Sequence, residues 1–130
     1  MYVGGTLPLK EMTEGKSSTA DEKVFVFQYK SEKEIATLSI PYARVNSLEY
    51  GQKAGRRLGL AIAITPLALF SKKRKHFVTI GYTDDADKQQ AAVFELGKDI
   101  VRTTLASLEA RTGRKVAYQD EEARKSGKGN

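Results

Sequence analysis

Residues 76–113 read HFVTIGYTDDADKQQAAVFELGKDIVRTTLASLEARTG, and the hydrophobic period changes once within them. Residues 76–83 (HFVTIGYT) are β-branched and aromatic and predict a strand. Residues 84–88 (DDADK) carry the Asp side chains that favour a tight turn, and 89–96 (QQAAVFEL) return as the partner strand of a hairpin. Gly97 breaks this pattern. From 99 to 111 the spacing becomes helical: Ile100, Val101, Thr104, Leu105 and Leu108 share one apolar face, and Arg102, Ser107, Glu109 and Arg111 face solvent. Asp99 offers a carboxylate to the first turn, Arg111 falls in the last, and Gly113 is placed as the C-terminal cap.

Upstream, residues 23–30 (KVFVFQYK) put Phe25, Phe27 and Tyr29 on one face and Val24 and Val26 on the other. They predict a strand buried on part of both faces. After a polar turn at 31–34, residues 35–40 form a second strand in hairpin spacing. Pro41 and Tyr42 interrupt, and 44–50 (RVNSLEY) resume as a strand that Gly51 ends. Residues 4–10 make an edge strand at best, because of Pro8. Residues 11–22 read as a polar loop and 115–130 as a disordered polar tail. The expectation is one α+β domain over residues 1–116: an antiparallel curled sheet or partly open barrel of six to seven strands, its open end covered by one C-terminal helix.

This order resembles the pleckstrin-homology-like (PH-like) superfold, including its bacterial and GRAM-like members. Residues 40–49 (IPYARVNSLE) look like the I-P-Y-x-x-I-x-x-V stretch of those members. Residues 94–98 (FELGK) look like their last strand and its junction with the capping helix. The resemblance covers residues 3–116, and the string as a whole is similar to small uncharacterised bacterial proteins. It implies binding of phosphoinositide headgroups, peptides or proteins, with catalysis rare. Headgroups are held in familiar members by bases around the first hairpin. Here that region holds Glu11, Glu14, Lys16 and Asp21, a mixture of signs.

Across 130 residues, 22 basic and 16 acidic side chains give a net charge of +6, and 40% hydrophobic content suits a globular domain. The absence of cysteine excludes disulfides, zinc fingers and thiol nucleophiles, and one histidine, His76, leaves no His-based metal cluster. His76 reads as a satisfied structural histidine, or as one exposed among bases that disfavour its protonation. Asp84, Asp85 and Asp87 read as a turn and not a calcium loop: counting from Asp85, the required Gly and Glu positions hold Gln90 and Leu96. Gly51, Gly55 and Gly59 match no phosphate-binding loop, and the acidic run Asp120, Glu121, Glu122 reads as a solvated tail. No catalytic residue, metal ligand or cofactor is expected, and the chain is not read as an enzyme.

Located along the chain, the charge becomes informative. Lys53, Arg56, Arg57, Lys72, Lys73, Arg74 and Lys75 fall in residues 51–75 with no acid among them, so the rest of the chain nets −1. A basic balance confined to one segment implies an anionic partner more strongly than a diffuse one does. The bases bracket thirteen uncharged residues, 58–70 (LGLAIAITPLALF). As a helix this run reaches about 20 Å, short of a bilayer core of about 30 Å.

Three readings of the run remain. It packs on the domain itself or on a second copy; it dips into an anionic membrane surface with bases at both ends and Pro66 at the bend; or the bases meet nucleic acid, the weakest of the three because no aromatic platform is interleaved. The candidate surface is thus the seven bases with Leu58, Leu60, Ile62, Ile64, Leu67, Leu69 and Phe70, facing an anionic lipid surface or another protein. No secretory signal is read at the N-terminus. The compartment stays open between the cytoplasm, a membrane periphery, and export with a leader removed.

Overall fold

The computed structural model describes residues 1–51, 63–64, 76–118 and 124. The strands are β1 (Tyr2–Gly5), β2 (Gly15–Ser18), β3 (Val24–Ser31), β4 (Glu34–Pro41), β5 (Val45–Gly51), β6 (Ala63–Ile64), β7 (Phe77–Thr83), β8 (Gln89–Glu95) and β9 (Val116–Tyr118). A 3₁₀ turn (Tyr42–Arg44) separates β4 from β5, and helix α1 (Val101–Thr112) separates β8 from β9. The fold is α+β. One sheet has the order β6-β1-β8-β7-β5-β9 and the other β2-β3-β4.

The two hairpins form where the alternating patterns predict them. β3 and β4 pair over their whole length, from Val24 opposite Pro41 to Ser31 opposite Glu34. Between them Glu32 takes the left-handed conformation, with φ 56°. β7 and β8 pair from Phe77 opposite Glu95 to Thr83 opposite Gln89. Pro41 ends β4 because it lacks the N–H that a strand continuing in the sheet would donate. The following turn carries the chain from the smaller sheet into the larger.

The Asp-rich turn is held by one carboxylate. Asp84 Oδ1 accepts the N–H groups of Ala86 and Lys88, each at 2.9 Å, and Oδ2 accepts Gln90 Nε2 at 2.8 Å. These donors, led by the Lys88 N–H, hold the Asp84 carboxyl below its ordinary value of 3.8. Stability from a carboxyl depressed in the folded state is present above the unfolded value and is lost as pH falls through the folded one. Asp84→Asn should therefore shrink the loss of stability between pH 5 and the acid limit, measured by thermal melts at stepped pH, while slightly lowering stability at neutral pH.

The core lies between the sheets. Phe94 on β8 is its hub: its ring centroid lies 5.2 Å from those of Phe25 and Phe27 on β3 and 5.8 Å from that of Tyr2 on β1. Tyr42, Leu48, Tyr50, Val78 and Ile80 extend this cluster, and α1 adds Val101, Leu105 and Leu108. Gly113 closes the helix at φ 71°, its N–H bonded to the Glu109 carbonyl at 3.0 Å. Arg111 donates to the carbonyls of Thr19 and Ala20 beyond β2, tying the last turn of α1 to the smaller sheet.

Several expectations need correction. The two sheets do not close into a barrel. The described strands number nine, not six or seven, because β2, β6 and β9 are short pairings without a long alternating pattern. β1 begins at Tyr2 and is no edge strand, since it pairs with β8 on one side and β6 on the other; it ends before Pro8, which explains its shortness. The loop expected at 11–22 contains β2, paired with β3 from Gly15 to Ser18. The tail expected from 115 contains β9, parallel to β5. Glu109, expected to face solvent, accepts the Val116 N–H at 2.8 Å and steers the chain into β9. Ile100 precedes the helix and is 44% exposed, so it leaves the apolar face. Asp99 also lies before the helix, whose first turn holds no acid.

Candidate functional site

β5 ends at Gly51 and β7 begins at Phe77, and these two residues are opposite each other in the sheet. Both arms of the basic segment therefore start from one point. Lys53, Arg56 and Arg57 follow Gly51 by at most six residues, and Lys72 to Lys75 precede Phe77 by at most five. Along the chain, each of the seven bases is thus within six residues of one member of the Gly51–Phe77 pair.

This root is rigid. His76 is 8% exposed and shares a 2.5 Å hydrogen bond between its Nδ1 and the hydroxyl of Tyr50, which is fully buried. The two rings lie almost parallel at 6.0 Å, and Tyr118 on β9 meets Tyr50 edge-on at the same distance. The His76 carbonyl accepts the Leu96 N–H at 2.9 Å, closing the end of β8 against the start of β7. Of the two readings of His76, the structural one holds. The sequence signal for the Tyr50–His76 pairing is an aromatic ring on each side of the segment.

The larger sheet places β6 at the end opposite β9. Gly4 faces Ile64 and Gly5 faces Ala63. Residues leaving β5 thus visit the far edge, beyond β7, β8 and β1, before the chain returns as β7. The stretch 61–64 (AIAI) alternates with period two, the sequence trace of this strand. A single helix through 58–70 is ruled out by β6, which lies inside the run. Of the candidate contact residues, Ile64 is a β6 residue. Lys53, Arg56, Arg57, Lys72, Lys73, Arg74, Lys75, Leu58, Leu60, Ile62, Leu67, Leu69 and Phe70 lie outside the described residues.

Elsewhere, a groove of about 260 Å³ runs between β2 and α1, lined by Ser17, Ser18, Thr19, Asp99, Ile100, Thr103 and Thr104. Its hydroxyls and one apolar side chain present no concentrated charge. Among the described residues no group of three His, Cys, Asp or Glu side chains is placed to hold a metal ion. Among them, too, no helix is long and apolar enough to cross a membrane. Burial pushes the Tyr82 hydroxyl up to about 12, which suits a core tyrosine better than a proton donor or acceptor near neutrality. Comparison with protein-family models, with curated proteins and with solved structures finds no match for this chain.

Proposed function

We propose that the chain is a non-catalytic binding module of the PH-like kind that docks on an anionic membrane surface through Lys53, Arg56, Arg57, Lys72, Lys73, Arg74 and Lys75. The observation that carries this is the Gly51–Phe77 register, which roots both basic arms at one end of the domain. Seven positive charges tethered to one point act together on a planar anionic surface, where each contributes about 1 kcal/mol. Loss of freedom on docking and salt screening offset part of that sum. A membrane suits the charge better than nucleic acid, since Phe70 is the one aromatic residue between the basic clusters and makes no stacking platform by itself.

Support for the PH-like kind comes from the order of elements, the corner after the I-P-Y stretch and the helix that follows the last long strand. β9 and the unclosed sheets depart from the expected pattern. The test is flotation with vesicles of phosphatidylcholine alone or mixed with phosphatidylserine. The chain should float with the mixed vesicles and be released by salt. Equal failure to bind either vesicle refutes the proposal.

A second reading rests on β6. Among the described residues it is the end strand of its sheet, and an unpaired edge is a template for another chain. In that reading the apolar residues of 58–70 form the interface between two copies. Solution mass by sedimentation separates the two: a strict monomer removes the second.

A further inference from the structure

We infer that β4 is a docking edge for a second copy of this chain, the two β4 strands pairing antiparallel about a two-fold axis at Thr37. The smaller sheet has the order β2-β3-β4, so among the described residues β4 is an end strand. It pairs with β3 from Glu34 to Pro41 without a register shift. An antiparallel ladder turns the backbone N–H and C=O of every second residue toward one neighbour and those of the others away from it. Half of the β4 backbone groups thus point outward in a straight row.

Sheet edges are commonly blunted by lysine, by proline, by a bulge or by shortness. β4 has none of these between Ile35 and Ile40. Residues 35–40 (IATLSI) carry no charge, and their Ile and Thr favour a strand. The side chains are open as well. Ile35 is 78% exposed, Thr37 and Ser39 are exposed, and Ala36 and Leu38 are half-buried.

The occupant is set by the strand's complementarity to itself. Residues directly opposite each other share a face of the sheet, because side chains alternate along a strand. Ile35, Thr37 and Ser39 share the exposed face, and Ala36, Leu38 and Ile40 the other. With the axis at Thr37, Ile35 lies opposite the second copy's Ser39, Ala36 opposite its Leu38, and Thr37 opposite its Thr37. Each bulky side chain meets a small one, and the two threonines are placed to hydrogen-bond across the axis. The Glu34 carboxylates of the two copies fall at opposite ends of the ladder, so like charges are not opposed. Shifting the axis to Ala36 draws Glu34 into the five central pairs, and shifting it to Leu38 sets leucine against leucine. β4 and β6 lie in different sheets, so pairing here is independent of an interface at β6 and of the basic segment.

A strand-edge contact is small beside the about 1,200–2,000 Å² of a stable complex, so association should rise with protein concentration. Sedimentation without lipid, from about micromolar to about millimolar protein, should show a monomer–dimer equilibrium. Thr37→Lys sets two ammonium groups face to face and should weaken the dimer at least tenfold, and Thr37→Val should leave it near the parent's. The chain has no cysteine, so one introduced thiol reports the register. Thr37→Cys should give a disulfide-linked dimer under a mild oxidant, because opposite Cα atoms about 5.5 Å apart lie in the range a disulfide spans. Ser39→Cys, whose counterpart lies four residues or about 13 Å along the strand, should crosslink far more slowly. Thr37 and Ser39 are exposed, so these variants should melt like the parent; should Thr37→Lys unfold, the two cysteine variants decide. A chain that stays monomeric over the whole range, a dimer unmoved by Thr37→Lys, or equal crosslinking at positions 37 and 39 overturns the inference. None of these readouts involves lipid, so failure here and failure of vesicle binding are separate results.

Discussion

Phe94→Ala is expected to cost about 3–5 kcal/mol, the usual range for emptying a buried phenylalanine site. That is a large part of the 5–15 kcal/mol by which domains are typically stable. For a chain of this length the melting temperature should fall by roughly 10–20 °C. The site cannot collapse cheaply. Phe25 and Phe27 come from one sheet and Tyr2 and Phe94 itself from the other, so the cavity would open where the two sheets are held together. β8 is paired on both sides and cannot move inward without dragging β1 and β7. Thermal and urea melts check this. Ile35→Ala is the control: that side chain is 78% exposed on β4, and its loss should stay within about 0.5 kcal/mol.

Gly5→Ala should be nearly as damaging, for a different reason. Gly5 has φ 147°, a backbone region almost closed to residues with a Cβ. A Cβ built there would lie 2.2 Å from the carbonyl oxygen of Ala91. That oxygen already accepts the Thr6 N–H at 2.9 Å and belongs to an interior strand, so it has nowhere to go. Strain of about 1–3 kcal/mol adds to the cost of the clash, and β1 should detach from both neighbours. Hydrogen exchange at Gly4 and Thr6, with the urea midpoint, reports it. Gly113→Ala is the contrast. Its φ of 71° is strained for alanine, but nothing lies within 4 Å of the new Cβ, so about 1–2 kcal/mol is expected.

The parts of this fold legible in the sequence are those with long local patterns. Residues 23–40 and 76–96 each alternate through a whole hairpin, and 99–111 repeat with helical spacing around Val101, Leu105 and Leu108. The unread strands are short and gain their identity from distant partners. Gly15–Ser18 is polar and becomes β2 only because β3 offers it an edge. Val116–Tyr118 becomes β9 only because Glu109 turns the chain beside β5. Ala63–Ile64 was hidden inside an apolar run that length alone could not divide between strand, helix and surface.

The candidate site divides in the same way. Charge counting along the chain isolates the seven bases, since their clustering is a one-dimensional property. That their two arms share a root is a matter of register, Gly51 against Phe77, and no local pattern encodes it. The small cluster of Val3, Phe77 and Val93 is likewise invisible locally, because these residues are far apart in sequence and join only through pairing of β1, β7 and β8.

The central claim is that the bases at this root hold the domain on an anionic surface. The most direct measurement compares the parent with a variant carrying Lys72, Lys73, Arg74 and Lys75 as Ala, in binding to phosphatidylserine-containing vesicles at low salt. At about 1 kcal/mol per base, four removals should weaken binding by roughly a hundred- to a thousandfold. A second variant with Lys16, Lys23 and Lys30 as Ala, on the strands of the smaller sheet and their approach, should bind like the parent. Equal affinity of the parent and the Lys72 to Lys75 variant, or a loss confined to the second variant, would contradict the account.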